Sequence, residues 1–129
     1  MTVVVDTSLI IDHLRGDARA RDALHRALKR RDAPPAASVL TRVEVMAGMR
    51  AGEEEATSRL LSLFTWVPVT DEIAHSAGTM ARRYLRSHAG IDLTDYVIAA
   101  TVEILHGELW TRNLKHFPML THVKDPCIS

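Results

Sequence analysis

Asp6, Glu44, Asp92 and Asp95 are the residues from which chemistry can be built. Asp6 follows Val3-Val4-Val5, a β-branched run that suits a buried parallel strand, and precedes Thr7-Ser8, which favour a helix start. Ligands of open parallel α/β sheets bind at that carboxyl end of a strand. Asp92 and Asp95 lie at the first turn of an otherwise apolar helix running from Tyr96 to Leu105, and Glu44 lies near the start of another. Ser8, Thr111 and Asn113 fall at strand ends. All are hard oxygen ligands or hydrogen-bonding groups, the kind that magnesium and manganese select over nitrogen and sulfur. Carboxylates gathered at one sheet edge repel, and one of them must take up a proton. A divalent cation removes that penalty and lowers the pKa of a bound water, so the chemistry that best suits the set is metal-assisted phosphodiester hydrolysis.

Each acid also has a purely structural reading. Asp6 can be a helix N-cap. Thr41-Arg42-Val43-Glu44 has the form of a capping box, in which Glu44 closes its own helix end. Asp92 and Asp95 can stabilise the positive end of their helix dipole. One carboxylate is enough for that task, and a second adds repulsion unless a cation compensates.

The elements that must position these residues follow from periodicity and breakers. A helix is expected from Thr7 to about Leu14, stopped by Gly16, with Asp17 capping a second over Ala18–Arg31. Pro34-Pro35 break that helix, and Ala36–Val39 reads as a second strand. Two helices separated by Gly52 follow, a hairpin whose Met46, Met49, Leu61 and Trp66 suit either a partner surface or core packing. Trp66–Val69 reads as an edge strand because of Pro68. A regular helix begins after Thr70 and ends before Gly90, then comes the helix carrying Asp92 and Asp95. Leu109–Thr111 reads as a strand, Lys115–Pro118 as a turn or short helix, and His122–Lys124 as a last edge strand. This order predicts an α/β/α sandwich with a mainly parallel central sheet, one domain spanning residues 1–129.

Composition narrows the function classes. A hydrophobic fraction of 47% with 25% charged residues is that of a globular chain, which excludes disorder. The formal net charge is zero, so nucleic-acid binding has to rest on a local patch. A single cysteine, Cys127, excludes an intramolecular disulfide framework and a cysteine-based metal site. No apolar run approaches the roughly 18 residues of a membrane span, and the amino terminus lacks a signal-peptide pattern, so a cytoplasmic protein is expected.

Four segments in order, VVVDTSLIID, SVLTRVEVMAG, IDLTDYVIAAT and LWTRNLKHF, resemble the signature segments of PIN-domain proteins, specifically the VapC-type toxins of bacterial toxin–antitoxin pairs. The resemblance covers the chain from Val3 to about Phe117. It implies a PIN fold and a ribonuclease dependent on Mg2+ or Mn2+. Asp6, Glu44 and Asp95 match the family's catalytic, metal-holding acids. Asn113 matches the fourth position; an uncharged amide there orients a water or a carboxylate rather than neutralising the metal. Thr7 and Ser8 are expected to place hydroxyls near the metal, Ser8 the more inward, with Thr111 supporting the same cleft and Asp92 as a further ligand. The resemblance also implies a cytoplasmic homodimer, silenced by a cognate VapB-type antitoxin and acting on structured RNA such as tRNA. Arg15, Arg42 and Arg112, close in sequence to the acidic segments, are the candidates for RNA contact, and His116 is either a phosphate contact or a structural turn histidine. The rival readings are a non-catalytic RNA- or protein-binding module and a structural protein whose acids only cap helices. An aspartyl-phosphate phosphotransferase fits poorly, because Ser8 stands where the second aspartate of that motif belongs.

Overall fold

The computed structural model describes residues 1–30 and 32–128. Five strands, β1 (Val3–Val5), β2 (Ala36–Ser38), β3 (Thr65–Val67), β4 (Glu108–Trp110) and β5 (Val123–Lys124), form one sheet in the order β3-β2-β1-β4-β5. Every pairing is parallel. Six helices connect them: α1 (Thr7–Leu14), α2 (Ala18–Leu28), α3 (Val39–Ala47), α4 (Glu54–Leu61), α5 (Asp71–Tyr84) and α6 (Leu93–Ile104). Among the described residues no helix is long and apolar enough to cross a membrane.

The alternation of a strand explains the layering. Val3 and Val5 join Leu9, Ile10, Ala20, Leu24 and Ala27 of α1 and α2 in a core on one face of the sheet. Val4 points the other way and packs with Ile98, Ala99 and Val102 of α6, while α5 seals that layer through Ile73 and Ala77. A strand covered on both faces is apolar at every position, which is why the VVV run does not alternate with polar residues. The expected sandwich is therefore present, and its sheet is wholly parallel over the described residues.

Most boundaries match the expected ones to within a residue or two. Asp17 caps α2, its side chain accepting from the Ala20 N–H at 3.0 Å, after Gly16 turns the chain at φ 90°. The second helix ends at Leu28 rather than at Arg31, and Arg31 itself lies outside the described residues. The capping box expected at Thr41 is not there. α3 begins three residues earlier, with Ser38 as N-cap accepting from the Leu40 N–H at 3.2 Å. Thr41 is thus inside the helix and fully buried, and Glu44 is free of any capping duty.

Two features hold the sheet's centre together. At the end of α6 the chain turns through His106, the one non-glycine residue with positive φ (50°) among those described. Glycine is the usual occupant of such a turn, but here it is needed one residue later. A Cβ on Gly107 would lie 2.7 Å from the Thr2 carbonyl oxygen, beside which β4 enters the sheet. The second feature is Arg112, just after β4. Its guanidinium reaches Asp12 of α1 at 3.1 Å, Asp17 at the start of α2 at 3.3 Å, and Asp125 near the carboxyl terminus at 4.0 Å. Three separate segments are neutralised by one rigid fork of donors.

These contacts set two expected outcomes in chemical denaturation. Gly107→Ala destabilises the fold by about 1–3 kcal/mol through overpacking against backbone, whereas His106→Gly stabilises it by roughly 1 kcal/mol by removing a left-handed side chain. Arg112→Ala costs about 2 kcal/mol, the scale of hydrogen bonds to charged groups, and Arg112→Lys recovers only part of it because an ammonium cannot reproduce the fork.

Candidate active site

The strand order determines where a site can be. From β1 the chain moves to β2 and β3 on one side, then returns to place β4 on the other. The connections after β1 and after β4 therefore diverge, leaving a crevice at the carboxyl ends of these two strands. Asp6 follows β1 directly, and Thr111 and Asn113 follow β4. A cleft of about 220 Å³ opens there, lined by Asp6, Thr7, Ser8, Ile11, Glu44, Asp92, Asp95, Asn113 and His116.

Asp6 is only 4% exposed, so its carboxylate needs partners. Ser8 and Thr111 both donate hydroxyl hydrogen bonds to its Oδ2, each at 2.7 Å. Their own oxygens accept in turn from backbone: Ser8 from the Arg112 N–H at 3.1 Å, Thr111 from the Asn113 N–H at 2.9 Å. The Asp6 N–H donates to the Trp110 carbonyl at 3.0 Å. The chain after β4 thereby fixes the carboxylate that follows β1.

Glu44 is positioned by a second hydroxyl relay. Thr7 donates to Glu44 Oε1 at 2.7 Å, and its oxygen lies 3.0 Å from that of Thr41. The Thr7 hydroxyl faces both acceptors, so its single proton is shared between Glu44 Oε1, the shorter contact, and Thr41 Oγ1. Thr41 and Glu44 are three apart on α3 and share a face. The relay needs both residues, and a sequence reading that assigns them to a capping box overlooks it.

Asp95 stands at the first turn of α6 and accepts from the Asp92 N–H at 3.0 Å. Its pKa is raised, chiefly by burial and further by the charges of Asp6 and Asp92, against the opposing effects of the Asp92 hydrogen bond and of His116. His116, in a short 3-10 turn at Leu114–His116, places Nδ1 3.2 Å from Asp95 Oδ2. It lines the cleft beside Asp95. Asp92, the N-cap of α6, and Asn113 are exposed on the rim.

The guanidinium groups expected near the acids are engaged elsewhere. Arg15 caps the far end of α1, about 13 Å along the helix from Asp6 at 1.5 Å per residue, and binds Glu53 at 3.1 Å and the Gly48 carbonyl. Arg112 forms the clamp described above. Arg42 lies 4.4 Å above the Trp66 ring.

The donor set fits a hard divalent cation: four carboxylates, with hydroxyl and amide oxygens and one imidazole. Among the described residues, no three Asp, Glu, His or Cys side chains are gathered closely enough to enclose an ion unaided. Magnesium rarely needs such a cage. It keeps several waters and takes one or two carboxylates, the remainder being filled by substrate phosphate.

Comparison with known proteins agrees with the fold. A sequence model of the PIN domain matches residues 3–118. Ribonuclease VapC10 of Mycobacterium tuberculosis is 46% identical over 124 residues, 96% of this chain and 92% of that protein. Ribonuclease VapC19 of the same organism is 41% identical over 123 residues, 95% of this chain and 98% of that protein. Among solved structures, a chain of a toxin–antitoxin complex from Klebsiella pneumoniae superposes with a TM-score of 0.79 at 30% identity, covering 97% of this chain and 98% of its own. By these matches along nearly its whole length, the chain belongs to the PIN-domain family and, within it, to the VapC ribonucleases.

Proposed function

We propose that the cleft between β1 and β4 is the active site of an endoribonuclease toxin, and that a cognate VapB-type antitoxin holds it silent. The observation that carries this reading is the convergence of Asp6, Glu44, Asp92 and Asp95 with Asn113 and His116 on one crevice at the sheet's switch point. Residues 1–129 act as a single PIN domain, and the active species is a homodimer.

VapC ribonucleases of the PIN family depend on a divalent metal, and for these carboxylate ligands the ion is Mg2+ or Mn2+. Bound by Asp6, Asp95 and Glu44, with Asp92 as a further donor, it supplies charge neutralisation at the phosphodiester and a more acidic water. The protein's own residues do the positioning. Ser8 and Thr111 hold Asp6 Oδ2, so the carboxylate cannot swing away from the cleft. Thr7 fixes Glu44, which otherwise sits exposed on α3, and is itself seated against Thr41. His116 holds Nδ1 within 3.2 Å of Asp95 Oδ2 and so restricts where that carboxylate can point. Asn113, uncharged and on the rim, is placed to orient a water or a neighbouring carboxylate. The substrate is structured RNA such as tRNA. A binding module without catalysis is the second reading, favoured by the absence of a pre-closed trio of ligands among the described residues.

Cleavage of total cellular RNA by the antitoxin-free protein separates the two. Activity is expected with manganese or magnesium, lost with chelator and lost in Asp6→Asn, leaving 5′-phosphate and 3′-hydroxyl ends; cyclic phosphate ends contradict a water nucleophile. Thr111→Val, which removes one donor to Asp6, lowers activity by about 10–100-fold. In thermal unfolding without metal, Asp95→Asn is expected to raise the midpoint, because it removes a charge that burial and two neighbouring carboxylates oppose. Added Mn2+ stabilises the wild type by linkage and leaves Asp6→Asn unmoved.

A further inference from the structure

We infer that the carboxyl-terminal turn of α5, through Arg82, Leu85 and Arg86, grips the RNA backbone beside the scissile phosphate. The inference rests on the ribonuclease reading and names the surface that reading lacks. Arg15 and Arg112 are bound to carboxylates and Arg42 is stacked on Trp66. By contrast, Arg82 and Arg86 are exposed, and among the described residues neither has a carboxylate within 4.0 Å. With Ala81 and Leu85 they line a surface depression of about 420 Å³. No acidic residue occurs between Glu72 and Asp92, so the end of this helix is cationic without internal compensation.

The turn's position connects it to the cleft. α5 packs along α6, and the chain from Leu85 to Asp92 turns directly from the end of one into the start of the other. The end of α5 therefore lies on the same side of the sheet as Asp92 and Asp95. Arg86 is six residues from Asp92, at most about 20 Å away even with the chain extended. A strand whose scissile phosphate occupies the cleft has to continue beyond it, and the separate depression at the end of α5 offers that strand two unpaired guanidinium groups.

The helix dipole alone does not explain the arrangement. It favours a cation in the last turn of α5, where Arg82 lies, but Arg86 stands two residues beyond the helix and lines the same depression as Arg82, where like charges repel. An anion between them removes that repulsion. Guanidinium groups bind phosphate bidentately, and Leu85, 49% exposed between the two, offers an apolar rest for a ribose or base.

The test measures binding of a labelled, mixed-sequence single-stranded oligoribonucleotide to Asp6→Asn protein as salt is varied. Adding Arg82→Gln and Arg86→Gln is expected to weaken binding and to make the log–log salt slope shallower by about 1.4, at roughly 0.7 per lost phosphate contact. Arg82→Lys with Arg86→Lys restores the slope, since the charge is kept. Placed instead in the wild-type background, where Asp6 is intact, the two Gln substitutions should raise the KM for long RNA far more than they lower kcat, with a thermal midpoint matching that of the wild type. An unchanged slope and KM overturn the inference, and if capture of an acidic antitoxin segment is lost instead, the turn is a protein-docking surface. Failure of the parent to bind RNA at any salt, together with no metal-dependent cleavage by the wild type, overturns the ribonuclease reading and this inference with it.

Discussion

A carboxylate removed from water at the centre of a parallel sheet is the constraint on which the rest depends. Asp6 is nearly inaccessible, and such a group is tolerated only when its oxygens are hydrogen-bonded. Ser8 comes from its own helix, but Thr111 comes from the far side of the β1–β4 pairing. The parallel register of Val3, Val4 and Val5 against Glu108, Leu109 and Trp110 brings Thr111 within reach. A one-residue slip would turn the valines away from their cores and take the hydroxyl from the acid at the same time. Core packing and site geometry are therefore two results of one register.

Much of this was legible in the residues themselves. The VVV run, the proline and glycine breakers and the helical spacing of apolar residues were enough for the element order and for strands at the sheet's edges. Those signals are local. The placement of Asp6, Asp95, Asn113 and Thr111 at element ends was likewise visible, because strand and helix ends are marked by composition. Convergence was not, since it depends on which strands become neighbours, and here the resemblance of four short segments supplied what periodicity could not. The misreading at Thr41 has a definite cause. Ser38 and Thr41 are both competent N-caps, and the sequence pattern of a capping box is indistinguishable from two helical residues that meet a side chain on another helix.

The arginines show a different limit. Nearness in sequence to acidic segments suggested Arg15, Arg42 and Arg112 as RNA contacts, yet that same nearness reflects attraction to structural carboxylates. Arg112 meets Asp12, Asp17 and Asp125, and Arg15 meets Glu53. A guanidinium already satisfied within the fold has little left to give a phosphate. The zero formal charge of the chain conceals an uneven distribution, with acids concentrated at the crevice and unpaired cations at the end of α5.

The hydrogen bond between Thr111 and Asp6 spans 105 residues of sequence. During synthesis Asp6 must wait for β4 before it gains its second hydroxyl donor. At translation rates of 5–20 residues per second that delay is roughly 5–20 s. A nascent chain of this protein thus carries its acids but lacks the geometry that makes them an active site.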